Sequence, residues 1–474
     1  MANNVSEEYE KTAFGALHTE SRVPIVQLTA IYGVKSKIDE FSALGGTTII
    51  EDSLFKATTG LNAGSLASIT SHKSISYRAG QGLVSDFTAM FGAPAIGNQQ
   101  LAGLITETDG LAFVYSVDQE FGIAHIHGGE IEIQELTITV SGSGTASITV
   151  NDIAYNVTLT AGTVQHNAEE IAASLTAQDP TYIFTANNDQ VVASARFGAP
   201  AGAFAFTGST ATASWSQIVS GLSPTNDFIP QTSWNENTKA DLDTSKLNVF
   251  RVKLEFLGGG AIEFYIEDSE PGEFVLVHRI AYANTQTYPS VNNPSFKVGW
   301  ISQNLTGSTA VQTSGASAGG FTEGIQVITE ESRSASGTIA SLSTTQTNLI
   351  TVRNRQVIDG KRNRVTALML FCSAFTESVK GALLEVRKNA TLGAGAVYNY
   401  IDKESSISEV SDTSVSVTGG RFITSIPVSV SGATINLNEL LTETIPGETI
   451  TFSMAQNGTP ATLAQVTVTF VEDL

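Results

Sequence analysis

The chain has 474 residues, of which 41% are hydrophobic and 15% charged, with 42 glycines and a formal net charge of −21 from 25 basic and 46 acidic side chains. So acidic a chain offers no overall attraction to a phosphate backbone, which excludes nucleic acid as an expected partner. Charge this sparse leaves the surface to Ser, Thr, Asn and Gln, a habit of turn-rich β proteins, and the single cysteine, Cys372, excludes an intrachain disulfide framework and a multi-cysteine zinc site.

The opening residues, MANNVSEEYEKTAFGALHTE, are polar and acidic with no apolar centre, so no secretory signal is expected and synthesis is cytoplasmic. No run of about 18 apolar residues marks a membrane span. Residues 1–50 have weak periodicity and read as an N-terminal arm or an initial pairing strand. From residue 51 the pattern is strand-like: Ile75 and Tyr77, then Val84, Phe87, Ala89 and Phe91, lie between Gly-rich turns. "GLAFVYSVDQEFGIAHIHGGE" continues it, with Phe121, Ile123, His125 and His127 alternating.

Residues 133–221 change character. Three short β-rich runs precede "VQHNAEEIAASLTAQDP", where Ala168, Ile171, Ala172 and Leu175 fall at i, i+3, i+4 and i+7. That spacing predicts one helix over 165–177, stopped before Pro180, in an inserted β-β-α-β-β domain. Its expected core is Leu136, Ile138, Val140, Ile148, Val150, Ile171, Leu175, Val191 and Val192.

Strand-like alternation resumes at 222. "NVFRVKLEFLGGGAIEFYIE" alternates on both sides of Gly258, Gly259 and Gly260, which are expected to supply the positive-φ positions of a tight hairpin. Residues 303–320 are Gly/Ser/Thr-rich and read as a linker or loop, and short strand signals recur from about 333. The fold class is therefore mainly β: a jelly-roll-like β-sandwich from residues 51–132 and 222–330, interrupted by the small α+β insert at 133–221. A second β-sandwich at 331–474 follows.

Four clusters bear on chemistry. His125 and His127 share one strand face with Glu130 near, a geometry open to zinc or nickel, but no further ligand is evident and a solvent-facing strand edge beside the Gly128-Gly129 turn is the favoured reading. Asp241-x-Asp243-x-Ser245 begins like a calcium loop, yet Lys246 stands where such a loop needs glycine. Arg353, Arg355, Lys361, Arg362 and Arg364 read as a solvated hairpin face around Asp359-Gly360, with an anion or acidic-neighbour contact as the alternative. His278 has no nucleophile or carboxylate partner in a recognisable motif. Catalytic residues, cofactors and metals are therefore expected to be none.

The order "YRAGQG … FTAMFG … GLAFVY … FGIAHIHGG", then "TSWN … VFRVKLEFLGGGAIEFYIE … FVLVHRIAYAN", resembles a β-sandwich module of virion proteins from tailed phages and large DNA viruses. The likeness spans roughly 75–132 and 225–425, and "SGASAGGFTEG" and "VSVTGGRF" look like further elements of it. It implies a non-enzymatic virion protein (capsid decoration, fibre or tail component) whose partners are itself and other virion proteins, with a trimer as the state suggested by the fibre analogy. In that reading His278 and Asn284 hold a strand end and its loop.

The competing reading is a carbohydrate- or receptor-binding module for host attachment, in which Tyr282, Tyr288 and Trp300 stack on a host surface glycan.

Overall fold

The computed structural model describes residues 22–197, 202–208, 210–270, 272–324, 331–458 and 462–472. They are mainly β, in several antiparallel sheets, with a 15-residue helix at Val164–Gln178. No helix among the described residues is long and apolar enough to cross a membrane. Two compact units are formed, the first from the described residues of 22–106, 110–125 and 227–324, the second from those of 107–109, 126–226 and 331–472.

The first unit is a sandwich of two sheets. One has seven strands in the order Thr225–Pro230, Phe121–His127, Gly110–Tyr115, Asn98–Ile105, Lys297–Asn304, Leu66–Ser71 and Ile38–Ala43. The other, of nine strands, is built around Leu83–Phe91, which pairs with Asn248–Leu254, Gln312–Gly315 and Ser317–Glu323. Because side chains alternate along a strand, Phe250, Val252 and Leu254 all face inward and are 0% exposed. Phe113 meets Phe250 at a ring separation of 4.5 Å and Phe264 at 5.7 Å, so aromatic rings lock the two sheets together. Each fully buried ring of this kind contributes roughly 1.5–3 kcal/mol.

Of the two readings of residues 1–50, the described part follows the pairing strand rather than the arm, and the hairpin turn corrects a further expectation. Arg22–Thr29 pairs with Ser317–Glu323, Ile38–Ala43 with Leu66–Ser71, and Thr47–Glu51 with Leu54–Thr58. Their periodicity is weak because most of their positions are only half covered, while residues 1–21 lie outside the described residues.

The hairpin Asn248–Leu254/Ile262–Glu267 pairs Phe250 with Ile266 and Leu254 with Ile262. At its turn, however, Leu257 (φ +38°) and Gly258 (φ +83°) take the left-handed positions, and Gly259 and Gly260 do not. Gly260 is required for space instead, since a Cβ there would lie 1.5 Å from the backbone oxygen of Glu255. Gly260→Ala is expected to destabilise the first unit by about 1–3 kcal/mol through this overlap. Gly259→Ala, with open space around it, should cost far less. Paired urea titrations check the contrast, and equal midpoints for the two variants would refute it.

In the second unit, residues 130–222 form a four-stranded sheet (Tyr182–Asn187, Gln190–Ala195, Glu130–Val140, Thr212–Leu222) and a three-stranded sheet (Ile153–Leu159, Gly144–Val150, Ala205–Gly208). The helix packs on them. The Thr163 hydroxyl caps it by accepting from the His166 backbone N–H at 3.2 Å, and Ala168, Ile171, Ala172 and Leu175 form its buried stripe. Leu136, Ile138, Ile148, Val150, Ile171, Leu175 and Val191 share one core. Val140 and Val192 leave it: a register shift after Ile138 turns Val140 outward to 52% exposure, and Val192 points to the face opposite Val191.

Residues 332–472 form a second sandwich. Its five-stranded sheet runs Ser332–Leu342, Thr462–Glu472, Ala367–Thr376, Ala433–Asn436, with Glu443–Thr444 also on Ala367–Thr376. A six-stranded sheet faces it, and Phe452, Phe470, Met369 and Cys372 fill the space between. Burial pushes the Cys372 thiol up to about 12, so it is an inert core group.

Candidate functional site

The residues expected to stack on a glycan separate in the structure. Trp300 lies in the middle of the seven-stranded sheet and is 0% exposed. Its ring stacks on Phe55 at 5.1 Å and its Nε1–H donates to the Thr88 carbonyl at 2.9 Å. Gly315 lets it in, for a Cβ there would sit 2.2 Å from the indole. Trp300 is therefore a core residue rather than a ligand platform. Tyr282 and Tyr288 do meet, edge to face at 6.2 Å. Tyr282 is mostly buried and donates its hydroxyl to the Pro289 carbonyl at 3.2 Å, whereas Tyr288 is 51% exposed.

His278 is a strand-end fixture. Its Nδ1 accepts the Asn235 backbone N–H at 3.2 Å, and burial pulls its pKa down, against the opposing pull of Glu236, so the ring is neutral. The Asn235 side chain completes the lock, accepting from Arg279 N–H at 2.9 Å and donating to the Arg279 carbonyl at 2.8 Å. Trp234, its neighbour in the "TSWN" turn, packs against Phe113 and Phe121. Asn284 takes a left-handed conformation (φ +60°) in the following turn, which asparagine tolerates better than most residues.

The strand Phe121–His127 continues its core-facing row past Ile123 into His125 (4% exposed) and His127 (8% exposed). The neighbouring edge strand is Thr225–Pro230. His125 Nε2 is bonded to the Ser290 carbonyl at 2.6 Å. Glu130, the carboxylate expected nearby, instead begins the next strand, opposite Leu222. Asp241 and Asp243 are engaged by side chains of their own loop. Lys239 Nζ reaches Asp241 at 2.8 Å, and Ser245 Oγ and Lys246 Nζ reach Asp243 at 2.5 and 3.2 Å. These contacts hold both carboxyls below the usual range.

The basic cluster is largely internal to the second unit, which corrects the solvated-face expectation. The hairpin itself is as expected, with Asp359 (φ +46°) and Gly360 (φ +67°) at its turn and Lys361 exposed. The arginines turn inward because each finds acceptors there. Arg353 binds Glu409 and the Ala186 carbonyl and lies 3.6 Å over the Tyr398 ring. Arg355 donates to the carbonyls of Lys403 and Ser406, Arg362 to that of Ala195, and Arg364 to Glu107. A cavity of about 600 Å³ borders this network, lined among others by Glu169, Phe184, Arg353, Tyr398 and Glu409.

Burial pushes the Glu169 carboxyl up to about 7, against the lowering pull of Arg353 and His166. A carboxyl whose folded pKa exceeds its unfolded value stabilises fully below the unfolded value and loses that contribution as pH rises through about 7. Glu169→Gln should therefore raise the melting temperature at pH 8 and leave it nearly unchanged at pH 4. The same shift at both pH values would contradict this assignment.

No protein-family model matches the chain, and no curated protein matches it. Among solved structures it is similar to the CBM2 module of an evolved Dit from Lactobacillus casei BL23 phage J-1, at 7% identity and a TM-score of 0.30 over 65% of this chain and all of that one. It is similar to the lectin of Bauhinia forficata in complex with GalNAc at 10% identity and a TM-score of 0.23, over 64% of this chain and 98% of the lectin. A structure of infectious bursal disease virus, Gx strain, aligns at 8% identity and a TM-score of 0.14, over 84% and 75%. With scores this low, the sandwich fold rests on the sheets described above.

Proposed function

We propose that the chain is a non-enzymatic structural component of a virion that acts by self-association and by docking to other virion proteins. The observation that carries this reading is the outer face of the five-stranded sheet. Strand register sets Ser334, Thr469, Phe371 and Asn436 in one row, Ser336, Thr467, Ser373 and Thr434 in the next, and Thr338, Gln465 and Phe375 in a third.

No ionisable side chain stands in these rows, although the chain as a whole carries a formal charge of −21. Two copies that approach through charged faces repel within the screening distance of about 8–10 Å; through this face they do not. Its hydroxyls already bond one another, Ser334 to Thr469 at 3.0 Å and Ser336 to Thr467 at 2.8 Å. Phe371 and Phe375, 44% and 37% exposed, supply apolar area. A second copy of this chain is the occupant this chemistry favours. The motif resemblance and the two-sandwich architecture support a place on a virion, as capsid decoration, fibre or tail.

Sedimentation velocity of the full chain tests the reading. The expected result is a closed oligomer that Phe371→Asp with Phe375→Asp converts to monomer without lowering the melting temperature. A monomer at all concentrations, or an oligomer unchanged by the double substitution, would overturn it. A host-glycan role is the second reading, favoured by the half-exposed Tyr288 packed on Tyr282. A glycan array on which Tyr288→Ala abolishes binding supports it.

A further inference from the structure

We propose that the cavity of about 600 Å³ in the second unit binds a small neutral saccharide, held by hydrogen bonds from Glu169, Gln356 and Tyr398. Its size falls within the range of about 300–1,000 Å³ that small-ligand sites occupy. The space exists because small residues surround it. Ala172 and Ala173 come from the helix, Ala186 from the strand Tyr182–Asn187, and Gly393, Ala394 and Ala396 from the second sandwich. Glu169, Ala172, Ala173 and Thr176 fall at i, i+3, i+4 and i+7, so one face of the helix forms a wall with a carboxyl at its start.

Three polar groups line this space without a hydrogen-bond partner among the described residues. The Glu169 carboxyl feels Arg353 and His166 only through space. The Gln356 amide, seated where a Cβ on Gly447 would lie 2.0 Å from its Nε2, and the Tyr398 hydroxyl are the other two. An acceptor, an amide that both donates and accepts, and a phenol that does either match hydroxyl groups, each of which can donate and accept. Charge favours a neutral ligand. The charged side chains lining the cavity among the described residues are Arg196, Arg353, Glu169 and Glu409, two of each sign, and Arg353 is already committed to Glu409 and the Ala186 carbonyl. A sugar ring carries hydroxyls around an apolar face, and the alanine methyls give that face its contact. The inference goes beyond self-association and does not depend on it, and Tyr288, in the first unit, takes no part.

The test titrates the full chain with glucose, galactose, N-acetylglucosamine, maltose and lactose, followed by saturation-transfer-difference NMR, with glucosamine and glucuronate as cationic and anionic comparisons. The expected result is saturable binding of at least one neutral sugar at millimolar concentration, tighter than either charged one. Glu169→Ala should weaken it about tenfold or more, the loss of a hydrogen bond to a charged group. Ala173→Trp, at an exposed helix position on the cavity wall, should fill the space and abolish binding while leaving the melting temperature unchanged. Tyr288→Ala should leave binding intact. Failure of every neutral sugar to bind, tighter binding of a charged one, binding indifferent to Glu169→Ala or to Ala173→Trp, or binding lost with Tyr288→Ala would overturn the proposal.

Discussion

Trp300→Ala is expected to lower the stability of the first unit by about 3–5 kcal/mol, the usual cost of emptying a buried tryptophan site. Three losses add up there. The indole is 0% exposed and stacks on Phe55, so its removal leaves a cavity lined by ring and strand. The Thr88 carbonyl loses the Nε1–H donor that satisfies it. Gly315, whose lack of a side chain admits the indole, cannot fill the space. Urea unfolding followed by the fluorescence of the remaining tryptophans measures the effect. A variant with wild-type stability but altered sugar binding would return Trp300 to the ligand surface and refute its place in the core.

The second large effect belongs to the second unit. Glu409→Ala is expected to cost about 3–5 kcal/mol, because breaking a buried ion pair from one side strands the other charge. Glu409 is 3% exposed and takes hydrogen bonds from Arg353 and Asn187, so its removal leaves a guanidinium facing a hole and an amide without its acceptor. The paired substitution Arg353→Met with Glu409→Leu should recover most of the loss, since a packed apolar pair carries no desolvation cost. A double-mutant cycle by chemical denaturation gives the coupling. A single-variant cost below about 1 kcal/mol would mean that solvent screens the pair as it does at a surface.

What the sequence made legible was local. The helix spacing named a stripe that is buried as a unit, and the expected span of 165–177 lies within Val164–Gln178. The alternation of Phe250, Val252 and Leu254 marked the core face, because a period of two needs no knowledge of the partner strand. What stayed hidden depends on pairing between distant segments. Residues 22–51 look indifferent until Arg22–Thr29 finds Ser317–Glu323. The arginines near Asp359 read as a surface cluster because the acceptors Ala186, Ala195, Glu107 and Glu409 come from elsewhere in the chain. His125 and His127 were visible as a pair, but their burial at the end of a core-facing row depends on strands remote in sequence. An aromatic residue such as Trp300 gives no local sign of whether it faces a ligand or a core.

If this chain is built into a particle, it must be found there at fixed sites. The decisive measurement is gold labelling: antibody raised against the purified chain, coupled to gold and applied to purified particles in negative stain. Gold is expected at a repeated position on each particle, with the chain recovered from the particle fraction of a density gradient. Unlabelled particles, with the chain left wholly in the soluble fraction of the lysate, would refute the virion role.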